Sequence, residues 1–301
     1  MSLLVVGSVA FDSVRTPYGQ EDHILGGAAT YFSVTASWFT QVNVVAVVGE
    51  DFGEEHLNIF RSRSIDTQGI EHAPGKSFHW RGEYVGDMNE ARTLETRLNV
   101  FENFAPKIPP AYRESEFVFL ANIDPVLQRH VREQLPKARL VGLDTMNFWI
   151  RGKLAELKKT LATVDVLVIN ETEARLLSGL HHLRAAAGAI RQMGPRVIVV
   201  KRGEHGVTLF VEGSIFSAPA YPLEKVHDPT GAGDTFAGGF MGHLARSNDL
   251  SDANLRRAAV YGSTMASFAV EEFGLRRLLR LSPAEIEARY REFQDLTHFD
   301  A

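Results

Sequence analysis

Six short apolar runs rich in valine, leucine and isoleucine, at residues 3–6, 42–48, 117–120, 140–143, 166–169 and 197–200, constrain this chain more than anything else in it. Each is too short for a helix and too uniformly apolar for a strand with one wet face, so each reads as a strand buried on both sides. Between most of them lie segments with helical spacing, at 28–38, 54–63, 125–135, 153–161 and 183–193. Strand alternating with helix predicts βαβ units, and hence an α/β fold with a doubly wound, mostly parallel sheet flanked by helices. After Gly233 the pattern turns helical, with further helices expected at 255–270 and 283–293, the last opened by Ser282 and Pro283.

Two stretches break this rhythm. Residues 76–104 alternate apolar or aromatic with polar side chains around a turn-like GDMNE, which reads as an exposed hairpin. Residues 8–25 are polar and contain Pro17 and Gly19. Together they predict a small antiparallel β lid over the main sheet, with a purely structural edge extension as the alternative. No repeat, low-complexity tract or linker is visible, so the expected organisation is a single domain over 1–301 with lid segments 8–25 and 76–104.

Composition narrows the function classes. The 301 residues are 45% hydrophobic and 23% charged, with a formal net charge of -5 and both signs interspersed. Such a chain has no electrostatic footprint for nucleic acid or an anionic membrane, which favours small-molecule ligands. With no cysteine, disulfides, thiolate-ligated zinc and thiol nucleophiles are excluded. The opening MSLLVVGSVAFD lacks a basic n-region, and its apolar stretch ends at Gly7, too early for a signal peptide or a membrane span. A cytoplasmic enzyme is the expectation.

The chemistry concentrates in DPTGAGDTFAGGF, residues 228–240. Gly231, Ala232 and Gly233 stand at a helix N-terminus, where small residues let backbone N–H groups approach an anion and the first turn adds positive partial charge. A phosphate is the natural guest. A carboxylate beside a phosphate site repels the ligand unless it has work there, and Asp234 can do that work as a general base for an attacking hydroxyl. The alternative is that Asp234 only complements the helix dipole and the glycines only form a turn. Other phosphate loops do not match: a dinucleotide fingerprint requires glycine where Phe236 stands, and the Gly-Lys-Ser at Gly75–Ser77 has Ile70 where a Walker loop requires glycine.

The same stretch resembles the C-terminal signature of the ribokinase/PfkB family of carbohydrate and nucleoside kinases, and further matches follow in the family's order along nearly the whole chain. GSVAFDSV resembles the opening strand with its acceptor-binding aspartate, here Asp12, and LGGAATY resembles the di-glycine under the acceptor, here Gly26 and Gly27. The run VVGEDFGEEHLNIFRSRSIDTQGI is similar to the segment after the second long strand. INETEARLLSG carries the Asn-x-x-Glu pair as Asn170 and Glu173, and VKRGEHGV resembles the nucleotide-side glycine turn with Lys201, Gly203 and Gly206.

The resemblance implies transfer of the γ-phosphoryl group of ATP to an alcohol of a sugar or nucleoside, with Asp234 as base and Gly231, Ala232 and Gly233 as anion hole. It implies Mg²⁺, held through water by Asn170 and Glu173, although an Asn followed by Glu three residues on is also a helix capping box. Asp228 and Thr230, with the turn at 272–274, are implied to hold a monovalent cation such as K⁺. A lid with one apolar face suggests a homodimer.

One departure bears on the acceptor. Many sugar kinases of this type have Gly-Gly-Lys-Gly-Ala-Asn at the di-glycine, whereas this chain has GGAATY, with Tyr31 in place of the sugar-binding asparagine. Phe78, Trp80, Tyr84 and Phe101 in the lid, and Phe148 and Trp149 after Asp144, could stack on a base or simply pack. Two rival functions remain at this stage: a catalytically silent nucleotide- or sugar-binding sensor of the same fold, and an oxidoreductase on a related doubly wound fold.

Overall fold

The computed structural model describes residues 2–86 and 88–298. Its strands, in chain order, are β1 (Ser2–Val6), β2 (Ala10–Thr16), β3 (Gly19–Gly26), β4 (Gln41–Val48), β5 (Asp66–His72), β6 (Phe78–Tyr84), β7 (Ala91–Arg97), β8 (Phe117–Leu120), β9 (Leu140–Asp144), β10 (Val166–Asn170), β11 (Val197–Lys201), β12 (Val207–Val211) and β13 (Ser214–Ala218). Nine of them form the main sheet in the order β13-β12-β11-β10-β9-β8-β1-β4-β5. From β5 to β11 every neighbouring pair is parallel; β12 and β13 add an antiparallel edge.

The apolar runs are buried on both faces, as their composition requires. Leu3 and Val5 of β1 join a core with the helices Ala28–Ala36, Glu54–Ser62, Ala232–Ser247 and Asp252–Ala269. Leu4 and Val6 join a second core with the helices Pro125–Glu133, Leu154–Leu161, Glu171–Ser178 and Leu183–Arg191. The expected doubly wound sheet is therefore present. Helix Ala232–Ser247 approaches its neighbours closely because glycines line its contacts. A β-carbon on Gly238 would lie 2.5 Å from the Phe32 carbonyl oxygen, and one on Gly242 would lie 3.1 Å from the Phe39 ring.

The remaining four strands form a separate sheet, β3-β2-β6-β7. It consists of the expected hairpin within 76–104 and a second hairpin, β2–β3, over most of the polar stretch 8–25; each hairpin is antiparallel, but their inner strands β2 and β6 run parallel. No turn sets the direction of that inner pair, since the chain passes through β4 and β5 between them. Part of the expected GDMNE turn, Asp87, lies outside the described residues.

Parallel strands bring their carboxyl ends to one edge, and there the chain leaves the sheet for its loops. Gln128, fully buried, fastens two of these exits: its Nε2 faces the carbonyl oxygens of Leu120 at 3.1 Å, Ala121 at 3.0 Å and Asp144 at 3.0 Å. No other side chain replaces that donor, so Gln128→Ala strands buried carbonyls and is expected to cost about 2–3 kcal/mol of stability. Urea unfolding of the parent and the variant measures the loss, and an unchanged midpoint would refute this role.

Candidate active site

The glycine loop is shaped by what lies beneath it. Gly231 adopts φ 72°, and a β-carbon there would sit 2.4 Å from the Tyr31 ring. Only glycine satisfies both constraints. Helix Ala232–Ser247 starts at the next residue, with Thr235 N–H donating to the Gly231 carbonyl at 2.8 Å. Upstream, Asp228 is completely buried; its Oδ1 accepts from Thr230 N–H at 2.9 Å and its Oδ2 from Gly274 N–H at 3.0 Å. The loop is thereby tied to the turn at 272–274.

Acidic groups from separate elements converge on the first turn of that helix. Asp234 stands in it, Asp144 ends β9, and Glu173 lies in the first turn of helix Glu171–Ser178. Asn170 and Glu173 form a full capping box: Glu173 N–H donates to Asn170 Oδ1 at 2.7 Å and Asn170 N–H donates to Glu173 Oε2 at 2.8 Å. Lys201, at the end of β11 and paired in register with Asn170, brings its Nζ to 2.6 Å from where a β-carbon on Gly233 would stand. Glycine at 233 is what admits the ammonium group to the loop.

Burial sets the ionisation of this cluster. Asp234 keeps an opening to solvent, but the surrounding protein desolvates its carboxyl and raises it to about 6, against the opposing charge of Lys201. Burial, and then the neighbouring Asp234, pushes Asp144 well above the usual carboxylate range; Lys201 opposes this too. Glu173 is raised by burial in the same way. Asp144 Oδ1 has no hydrogen-bond partner among the described residues. A single ammonium among three carboxylates leaves an excess of negative charge, which a cation-bearing phosphate ligand would neutralise.

Across the loop lies Asp12 on β2, buried and raised to about 7 by desolvation, while the Gly27 N–H it accepts from lowers it. A β-carbon on Gly26 would fall 1.9 Å from Asp12 Oδ2, and one on Gly27, at φ 92°, would fall 2.5 Å from the Ser8 carbonyl. The di-glycine therefore lets the backbone close on the aspartate. Tyr31 is only 1% exposed, and its ring is occupied by Gly231, so no ring face is left to stack on a ligand. Its hydroxyl has no hydrogen-bond partner among the described residues and lies in the combined field of Asp12, Asp228 and Asp234.

On the opposite side, Gly203 (φ 53°) and Gly206 (φ 86°) shape the turn after β11, and Arg202 N–H donates to the Gly206 carbonyl at 2.8 Å. Arg202 itself is paired with Glu171 at 2.8 Å. Most of the lid aromatics pack on one another or on the backbone: Phe78 stacks on Phe101 with centroids 5.3 Å apart, and the Trp80 ring covers Gly82. Trp149 donates to Asn122 Oδ1 at 3.0 Å, whereas Phe148 is 63% exposed at the sheet's carboxyl edge. Sequence reasoning noted Asp144 and Tyr84 without placing them in the cluster, and it gave no role to Asn89 or Glu90. No local spacing links these residues to the glycine loop.

Comparison with known proteins identifies the family. The model of the pfkB family carbohydrate kinases matches residues 2–280. The cytidine kinase of Thermococcus kodakarensis is 29% identical over 258 residues, covering 84% of this chain and 91% of that protein. The nucleoside kinase of Methanothermobacter thermautotrophicus is 25% identical over 287 residues, covering 90% of each. Among solved structures, aminoimidazole riboside kinase from Salmonella enterica, complexed with aminoimidazole riboside and an ATP analog, superposes with a TM-score of 0.77 at 19% identity, over 96% of this chain and 100% of that one. The chain belongs to the pfkB family of carbohydrate kinases, and it is a kinase that acts on an alcohol group.

Proposed function

We propose that this protein transfers the γ-phosphoryl group of ATP to a primary hydroxyl of a nucleoside, working as one kinase domain with the two hairpins as its lid. The observation that carries the chemistry is Asp234 in the first turn of a helix that opens on Gly231, Ala232 and Gly233, with the Lys201 ammonium against Gly233. The nucleoside acceptor is supported by a cytidine kinase matched over 91% of its length and a nucleoside kinase matched over 90%. A sugar acceptor is the second reading, favoured by the carbohydrate-kinase family description.

Asp12 and the N–H groups of the Gly26–Gly27 turn hold the acceptor hydroxyls, and Asp234 removes the proton from the attacking one. The backbone N–H groups of 231–233 and Lys201 hold the phosphoryl group in transit. Gly203 and Gly206 let the turn after β11 approach the nucleotide. The excess carboxylate and the unpartnered Asp144 Oδ1 fit a site that receives a divalent cation, and Asn170 and Glu173 order its water shell. Mg²⁺ supplies charge neutralisation of the phosphates. Asp228, buried with two N–H donors on four lone pairs, retains acceptor capacity for a monovalent cation, K⁺, shared with Thr230.

The first test is ADP release with product mass across nucleosides, pentoses and hexoses. Cytidine is expected to exceed free ribose in kcat/KM by about 100-fold or more, since a site built for a base is left with unmet contacts by the sugar alone. Transfer to sugars alone would overturn the nucleoside reading and keep the kinase; no transfer to any acceptor would favour the silent binding protein.

Asp234→Asn is expected to lower kcat by at least about 100-fold. ADP affinity by calorimetry should change little, and a variant of near-parental kcat would remove Asp234 as the base. The pH profile follows from the same group. Asp234 acts only when ionised and its carboxyl is raised to about 6, so kcat/KM should be level above that value and fall about tenfold per pH unit below it. A profile flat down to about pH 5, in a range where circular dichroism shows the fold intact, would contradict the assignment.

A further inference from the structure

The hairpin of β6 and β7 reaches from one side of the site to the other. β6 pairs in parallel with β2, placing Trp80 opposite Asp12 in register. At its end, Tyr84 packs with Val14 and Met88, and its hydroxyl lies 3.5 Å from Thr230 Oγ1, just ahead of Gly231. Beyond Met88 the tip crosses to the turns after β10 and β11. Asn89 Oδ1 stands 2.3 Å from the position of a β-carbon on Gly203. Glu90 Oε1 accepts a hydrogen bond from Thr172 Oγ1 at 3.1 Å, and Thr172 lies between Asn170 and Glu173. One hairpin thus touches the acceptor strand, the glycine loop, the Asn-x-x-Glu turn and the glycine turn after β11.

We propose that Asn89 and Glu90 are positioning residues of the donor side, and that docking of this tip makes nucleotide binding and closure of the lid over the acceptor a single coupled equilibrium. The inference rests on the reading of Gly203 and of Asn170 with Glu173 as donor-side groups. Its physical basis is that the docked tip brings a further carboxylate to a cluster already short of positive charge. Glu90 forms no ion pair among the described residues, and its hydrogen bond to Thr172 holds its carboxylate beside Glu173. In the empty protein this repulsion weighs against docking. A nucleotide carrying a divalent cation removes the repulsion, so the donor favours the docked tip, and the tip, being continuous with β6, carries the lid with it. By reciprocity, an acceptor that closes the lid must tighten nucleotide binding by the same factor.

Hydrogen exchange of the full chain, with and without MgADP, tests this without turnover and without knowing the acceptor. MgADP is expected to raise amide protection in residues 78–97 of the parent. In the double variant Asn89→Ala/Glu90→Ala that gain should disappear, and the Kd for MgADP by calorimetry should rise about five- to tenfold. Both side chains are exposed, so the variant should keep the parental Tm without nucleotide. Glu90→Gln removes the charge while keeping the hydrogen-bonding oxygen, and should raise protection of the hairpin in the empty protein. Protection of the parent hairpin that is unchanged or lowered by bound MgADP would overturn the inference, as would a double variant that responds like the parent. Failure of the parent to bind MgADP at all would instead sink the donor-site reading on which it rests.

Discussion

The site depends on keeping carboxylates out of water while leaving them able to ionise. A carboxyl that the fold raises binds its proton more tightly folded than unfolded. Below about pH 4 both states are protonated and nothing is lost. As the pH rises through the folded values, about 6 for Asp234 and about 7 for Asp12, the ionised forms count against the folded state. Asp144, Glu173 and Asp228 are shifted in the same direction, so they add to the loss. The proposed reaction needs Asp234 ionised, whereas stability of the empty protein is best served by keeping the cluster protonated. A ligand that brings cationic charge would reconcile the two, so on the proposed reading substrate binding also stabilises the fold.

The glycines are the steric counterpart of that electrostatics. Each of the important ones leaves room for a particular group: Gly231 for the Tyr31 ring, Gly26 for the Asp12 carboxylate, and Gly233 for the Lys201 ammonium. Tyr31 illustrates the trade. A short polar side chain at that place could reach a ligand, whereas the tyrosine spends its ring supporting the loop and presents only a hydroxyl. On the proposed reading, selectivity for the acceptor has to come from other groups, and at the carboxyl edge of the sheet Phe148 is exposed while Asn122 and Trp149 are locked together.

Much of this was legible because parallel strands covered on both faces must be continuous apolar runs, and the helices between them must show a periodic face. β5, with the sequence DTQGIEH, escaped because an edge strand is partly solvated and so carries polar residues. β12 and β13 escaped for a related reason: they extend the sheet as a hairpin whose outer strand alternates buried and exposed positions. The glycine loop and the Asn-x-x-Glu pair were readable because each keeps its spacing in one contiguous stretch. Asp144, Tyr84, Asn89 and Glu90 were not, since a lone residue at a strand end or a turn has no local signature. Their relation to Asp234 exists only after long-range pairing, such as the parallel register of β2 with β6, has formed.

That long-range pairing also answers a chemical problem. A base competent to deprotonate an alcohol is competent to deprotonate water, and water is present at far higher concentration. With Asp234 as the proposed base, discrimination cannot come from the carboxylate itself, so on that reading it has to come from when the loop becomes shielded. In this fold the strand bearing Asp12 and the strand ending in Tyr84 are one sheet, and Tyr84 leads directly to the tip beside Gly203. On the proposed reading, shielding of the base is therefore joined to both ends of the reaction. Asp234 is a partly exposed residue in this structure, so in the proposed reaction the alcohol itself has to fill the space in front of the base. An acceptor too small to fill it would leave room for water, and the same geometry that speeds transfer to a well-fitted alcohol would then speed hydrolysis.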